Sequence, residues 1–416
     1  MQLIEVIRSG DWLSPARLRR WGLCVLAVSA AAVIFLAATS DGRNDIFGRP
    51  LGTDFSNVYA AGTFVLEGRA AAAFDWDRHY RRQQDIFGTQ TQFYGWHYPP
   101  FFLFVAGVLA TMPYAVALLV WQGATLLLYL GAIRAIMSSQ LPGQGETPPT
   151  LWLLLALAFP AVLINIGHGH NGFLTAALIG GALVLLDRRP IAAGVLLGLL
   201  AYKPQFGIMM PLVLAATGRW RVFLSASVTV ALLALATLLA FGSEVWRAFF
   251  DSTQLTRTTV LEAGGTGWHK IQSVFAWVRL WGRGVTLAYA AQGAVMLAVA
   301  AALIRLWRSE TTFARKAAGL VLGALLATPY SLDYDMMVLA PAIAFVAADG
   351  LQRGFAPWEK SALAWLWFVP LVARSIAEYA LIPLGIWTML AVFTLVLRRS
   401  ARDVQHPAGA VALRTP

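Results

Sequence analysis

Cysteine, lysine and long polar stretches are all scarce in this chain. The single Cys24 cannot form an intrachain disulfide, so cysteine usage says nothing about redox compartment. Charged residues make up 13% of the 416 positions while 58% are hydrophobic, and the mean hydropathy is +0.63. A chain of this length could otherwise hold two or three soluble domains; this composition excludes them and leaves a polytopic membrane protein. Also missing, in any supporting context, are a P-loop, a dinucleotide glycine pattern, an HExxH pair and a nucleophile elbow. What is abundant is aromatic and basic: 16 Trp, 23 Phe and a net charge of +11. The basic residues stand in short clusters between apolar runs, which is the pattern of positive-inside loops and not of a nucleic-acid surface. No nucleic-acid partner is expected.

Arg17-Leu18-Arg19-Arg20 followed by an apolar run over 21–38 imitates a signal peptide, but 18 apolar residues suffice to cross a bilayer and many more crossings follow. The spacing predicts an uncleaved first transmembrane helix with a cytoplasmic N-terminus. Placing the basic clusters at 17–20, 188–189, 219–221, 305–316, 353–360 and 398–402 in the cytoplasm sends residues 41–100, 167–172, 202–205, 242–283 and 328–335 to the other side. That bookkeeping requires 101–137 to make one net crossing, as a kinked helix or a short hairpin. It gives an all-α polytopic protein with about twelve transmembrane helices, a cytoplasmic C-terminus and a long first extracytoplasmic loop carrying interfacial helices. Phe55, Val58, Tyr59, Phe64 and Val65 suggest one of these and Asp75 to Arg82 a second. A single domain over 1–400 is expected, with residues 401–416 a disordered tail and 138–150 a loop. Several apolar runs are shorter than the roughly 20 residues of a full span, so they are expected to flank a cavity that opens outward.

The polar groups that land outside carry the candidate chemistry. Lys203, in Ala201-Tyr202-Lys203-Pro204-Gln205-Phe206, is one of only four lysines against 28 arginines, and it stands in membrane-grade sequence. A cation at such depth costs roughly 2.5–3.5 kcal/mol and normally faces a cavity or a partner. Pro204 breaks the backbone beside it. The residue either holds an anionic group, such as a lipid-linked phosphate, or snorkels to the surface. Asp54 lies between apolar neighbours just after the first helix, as a general base or an ordinary helix N-cap. His168 and His170 flank a glycine; a polar lining, a metal site or a plain loop all fit, no third metal ligand is evident, and no metal or cofactor is expected. Asn171 reads as a helix cap. Trp268-His269-Lys270, after four residues rich in glycine, could close over a substrate or anchor the interface. Tyr330, Asp333 and Asp335 cluster where two apolar runs meet.

Taken together, Thr53-Asp54-Phe55 with Val58-Tyr59-Ala60-Ala61-Gly62, Tyr98-Pro99-Pro100-Phe101, Asn171-Gly172-Phe173, Asp187-Arg188-Arg189-Pro190, Tyr202-Lys203-Pro204-Gln205 and Thr328-Pro329-Tyr330 with Asp333-Tyr334-Asp335 form a set. Over roughly residues 50–350 it resembles glycosyltransferase family 87, which includes polyprenyl-phosphate-mannose-dependent alpha-1,2-mannosyltransferases of the GT-C superfamily. The pattern departs at His170, where a Gln is expected before the Asn-Gly pair. The resemblance implies a GT-C-type fold in a cell membrane, of the bacterial inner-membrane kind, with its site on the extracytoplasmic face. It implies an inverting transfer of a hexose, mannose in this family, from a polyprenyl phosphate sugar donor to a lipid or glycan hydroxyl. Asp54 matches the acidic residue of the first outer loop, the general base. Lys203, with His269 or Lys270, would stabilise the phosphate, an assignment that comes more from charge than from the family. His168, His170, Asn171, Tyr330 and Asp333 would line the substrate. The competing readings are a lipid or solute transporter, disfavoured because no repeat relates the two halves, and a catalytically silent scaffold.

Overall fold

The structure is a computed structural model that describes residues 2–141 and 149–405. No strand occurs among the described residues; the chain is a succession of helices. Six of them are long and apolar enough to cross a membrane: Pro15–Ala38, Tyr114–Gln140, Trp220–Phe241, Val285–Arg308, Asp333–Arg353 and Leu384–Arg402. The pair Thr150–Leu157 and Pro160–His168, bent by 48° at a two-residue break, makes a seventh if it is one span. Pro160 is the cause of the bend, since it removes a backbone donor from the helix. Shorter apolar helices follow, among them Gly172–Leu185, Pro190–Leu199 and Met209–Ala216.

Small residues let the short helices approach their neighbours. Gly194 and Gly198, four apart on one face, meet Ser225 and Thr229 of the Trp220–Phe241 helix so closely that a side chain on either would clash. Gly319 and Gly323 do the same against Leu306 and Leu303. Between apolar helices in lipid, this close packing takes the place of the hydrophobic driving force that acts in water. The Phe313–Ala327 and Leu339–Arg353 helices are the most enclosed, with almost every residue buried. The motif over 328–335 joins these two, so it is held at the end of the core by its own flanks.

The polar residues sort to two ends of the bundle. At one end Trp358 N–H donates to the Arg8 carbonyl (2.7 Å), Arg308 Nε to the Ala216 carbonyl (3.0 Å) and Arg315 Nε to Asp349 Oδ2 (2.8 Å), while Arg219 pairs with Asp187 and Arg399 with Glu359. These are the clusters grouped above as cytoplasmic. The other end gathers residues 41–54, 94–98, 168–172, 202–204, 256–273, 328–335 and 370–385. Each long helix runs from one group to the other.

Residues 101–137 traverse the bundle once. The nine-residue helix Phe102–Ala110 begins beside Tyr98 and ends before Tyr114, whose hydroxyl donates to the Leu51 carbonyl (2.5 Å), so it starts and finishes at the same end. Only Tyr114–Gln140 then traverses the bundle.

Two expectations need correction. The Phe55–Leu66 helix is packed inside the protein and does not leave one long face free. Its residues Phe55 to Val58, Ala60 to Gly62 and Phe64 are buried, with the Phe102–Ala110 helix packed against it. At Gly62 an added methyl would collide with the Ala106 carbonyl. We expect Gly62→Ala to destabilise the protein by about 1–3 kcal/mol through this overpacking, read as a lower thermal midpoint in detergent. The Trp76–Phe87 helix, capped by Asp75, does bury one face only. At the other terminus the Leu384–Gln405 helix carries helical structure into the stretch expected to be disordered. Residues 406–416 lie outside the described residues, as do 142–148 of the loop expected at 138–150; there one helix runs to Gln140 and the next starts at Pro149.

Candidate active site

The site is built on a close crossing of two turns. Gly169 adopts φ +60° and ends the Pro160–His168 helix, while Gly52 adopts φ +60° before the Phe55–Leu66 helix. A side chain at Gly169 would sit 2.6 Å from Phe55 Cβ and 3.1 Å from Gly52 Cα, so only glycine permits the approach. It lets the Asp54 N–H donate to the His168 carbonyl (2.9 Å) and brings Thr53 Oγ1 to 2.8 Å from His168 Nδ1. Asp54 is thus joined to the His168–Asn171 turn, 114 residues later in the chain.

Asp54 occupies the N-cap position of its helix, yet its carboxylate makes no cap hydrogen bond. Elsewhere the rule is kept: Ser14, Asp75, Ser273 and Thr312 all accept from the backbone of the helix they begin. Asn171 repeats the exception at the start of Gly172–Leu185, and both of its side-chain polar atoms are buried without a hydrogen-bond partner. It lies near enough to the Tyr98 hydroxyl to bias it, but no hydrogen bond of normal geometry joins them. Two side chains well suited to capping therefore stay out of the caps, and both are in this site. Asp54 keeps a small opening to solvent although it sits deep within the protein envelope. Desolvation pushes its carboxyl above the usual range and Asp333 adds to this, while His168, Lys270 and Lys203 pull it back.

Lys203 is held differently. Its backbone lies between a 3₁₀ turn and a new helix begun by Pro204, as the proline predicts, and its side chain is buried. Nζ donates to Asp335 Oδ1 at 2.5 Å, and Asp335 Oδ2 accepts the Leu332 N–H at 3.0 Å. The Tyr334 ring lies 5.5 Å from Nζ and stacks at 3.6 Å on the His170 ring, whose Nδ1 has no partner. Under His168, Tyr334 and His170 thus form a largely buried aromatic floor, with a closed ion pair set into it. Gln122 and Asn165 fix the turn from behind, donating to the His170 carbonyl (2.9 Å) and accepting the Gly172 N–H (2.8 Å) respectively.

Residues 269 and 270 reach the site because the 242–283 segment docks on the 328–335 motif. Gln272 N–H donates to the Ser331 carbonyl (2.7 Å) and Ser273 Oγ to the Pro329 carbonyl (2.8 Å). Trp268 is pinned inward, Nε1 to the Leu261 carbonyl (2.9 Å) with the Arg279 guanidinium 4.4 Å from its ring centre, and Tyr330 packs in the same small cluster. The Lys270 ammonium has no ion pair or hydrogen bond among the described residues. Burial, then Arg374, hold it below its usual range, and burial does the same for His269. Asp333 Oδ1 accepts the Tyr334 N–H (2.9 Å).

Asp54, His168, His170, Asn171, Lys203, His269, Lys270, Tyr330 and Asp333 are thus all at one end of the bundle. Arg374 and Glu378, on the Ala373–Ala380 helix beside Trp268–Lys270, belong to the same neighbourhood and were not singled out from sequence. The signal was available: Arg374, like Lys203, is a cation interrupting an apolar run. A cavity of about 370 Å³ adjoins Asp54, with Thr53, His168, Asp333 and Arg374 in its walls; neither Asp54 nor Lys203 lines it. Its size falls in the roughly 300–1,000 Å³ range of small-molecule sites.

The family model for glycosyltransferase family 87 matches residues 96–329, more than half of the chain. The chain belongs to glycosyltransferase family 87. It is accordingly a membrane glycosyltransferase, with a sugar donor and an acceptor as its substrates. No curated protein and no solved structure shows significant similarity to it. Of the site residues of this family 87 chain, His168 to Asn171, Lys203, His269 and Lys270 fall within the match; Asp54, Tyr330, Asp333, Asp335 and Arg374 lie outside it.

Proposed function

We propose that this family 87 enzyme transfers a hexose, mannose in the first instance, from a polyprenyl phosphate donor to a lipid or glycan hydroxyl with inversion at the anomeric carbon. The fold would be of GT-C type, with about twelve crossings once the short apolar segments are counted and with the site end on the extracytoplasmic face. The observation that carries the reading is Asp54: a carboxylate at a helix start that does not cap, desolvated and within the electrostatic reach of Lys270. Asp54 takes the proton of the acceptor hydroxyl as that oxygen attacks the anomeric carbon. The bond to the phosphate oxygen breaks, and the polyprenyl phosphate leaves as an anion. Lys270, unpaired and half-buried, and His269 beside it stabilise the charge that develops there. Tyr334, His170 and Asn171 form a largely buried aromatic and amide floor under His168, and the sugar ring would rest above it. Lys203, whose ammonium is committed to Asp335, holds that floor in place.

The test feeds labelled polyprenyl-phosphate-mannose and a panel of lipid and glycan acceptors to the purified protein in lipid. Transfer of label with inverted configuration is expected. Uptake of solute into vesicles without transfer would replace the reading by the transporter. A pH profile adds a second check. The base must be ionised, and its folded pKa is raised, so kcat/KM should fall as pH drops through a value above the usual carboxylate range of about 4. A rate that stays flat from neutral pH down to that range removes Asp54 from the mechanism.

A further inference from the structure

We propose that Arg374 receives the phosphate of the lipid-linked donor, in the cavity between the Pro15–Ala38 helix, the Pro160–His168 helix and the turn at Val369–Leu371. The inference rests on the polyprenyl phosphate reading above and adds a residue that lies 45 positions beyond the end of the family match. Three observations carry it.

The first is donor capacity. Arg374 makes no hydrogen bond among the described residues; it forms one loose ion pair, to Asp333 at 3.6 Å, and its side chain remains well exposed. A planar guanidinium with N–H groups to spare is shaped for two oxygens of one phosphate. The second is placement. The Ala373–Ala380 helix packs on the Trp268–Lys270 turn, so Arg374 and the unpaired Lys270 approach the Asp54 region from the same side. The third is the character of the walls. Leu36, Ile164 and Leu371 give the cavity an apolar side, and Leu36 belongs to a helix that buries almost nothing within the protein. A ligand with an anionic head and a hydrocarbon tail fits such a cavity: the head meets Arg374 and the tail leaves past Leu36 toward lipid. Arg49 stands at the same opening, paired with Asp45 at 3.3 Å, but of the two arginines it is Arg374 whose helix also packs on the Lys270 turn.

The experiment measures equilibrium binding of labelled polyprenyl phosphate, without sugar, to the full-length protein in lipid nanodiscs. Wild type is compared with Arg374→Gln and Arg374→Lys, with unlabelled polyprenol and a dioleoyl phosphatidic acid as competitors. Losing a charged hydrogen-bond partner should weaken polyprenyl phosphate binding about ten- to a hundredfold in Arg374→Gln. Arg374→Lys, which keeps the charge and loses the fork, should fall between the two, and competition by polyprenol should be the same in all three. Thermal midpoints matching wild type confirm that the variants fold. Unchanged affinity in Arg374→Gln overturns this inference alone. Competition by phosphatidic acid equal to that of polyprenyl phosphate also overturns it, by turning the cavity into a general lipid-phosphate site. No binding by wild type would instead overturn the donor assignment from which the inference starts.

Discussion

Asp54→Asn is expected to lower transfer by about 10²–10⁴-fold while leaving donor affinity close to wild type, because a neutral amide of the same shape cannot accept the acceptor's proton. The same substitution is expected to raise stability at neutral pH. A carboxyl whose folded pKa is raised holds its proton more tightly in the folded chain than in the unfolded one. Its contribution therefore favours folding at low pH and is lost as pH rises through the folded value. Asparagine removes that penalty. An N-cap aspartate predicts the reverse, since losing the cap costs about 1 kcal/mol. Activity and the thermal midpoint, measured on one preparation, thus separate the two roles. Full activity in Asp54→Asn, or a clear drop in its midpoint, contradicts the general-base assignment.

The second large effect concerns Lys203. With both side chains almost fully buried and Nζ only 2.5 Å from Oδ1, removing one partner leaves the other as an uncompensated charge in the core. We expect Lys203→Met to cost about 3–5 kcal/mol, seen as a strongly lowered midpoint or loss of folded protein. Lys203→Met combined with Asp335→Leu should recover most of that loss, because well-packed apolar replacements of a buried pair are often neutral. The double variant also carries the functional test. If Lys203 holds the floor, the double variant keeps polyprenyl phosphate affinity within a few-fold of wild type. If Lys203 binds the phosphate itself, affinity stays lost although the fold has returned.

Much of the molecule is legible before any coordinates. The scarcity of charge and the spacing of apolar runs identify a helical membrane protein, and the basic clusters sort its loops into two groups that the structure then gathers at two ends. A local backbone event was legible as well, because its cause is local: Pro204 starts a new helix after Lys203. The Phe55–Leu66 helix was misread because its spacing gives the helix but not its surroundings; the Phe102–Ala110 helix that buries it is contributed by a later part of the chain. Arg374 was overlooked for a related reason. In sequence it is one arginine in an apolar run, and only the packing of its helix against Trp268–Lys270 turns it into part of a site.

The sequence by itself determined the solvent this protein folds in, the positions of its breaks and the residue types able to move a proton or meet a phosphate, since hydropathy, proline geometry and side-chain chemistry are properties of the local chain. Which of those groups stayed free was decided only by tertiary structure. The Gly52–Gly169 approach joins Asp54 to the His168 turn, and Asp335 claims Lys203 from 132 residues away. Pairing of charges depends on distances of a few ångströms between segments far apart in the chain, and no local pattern encodes them.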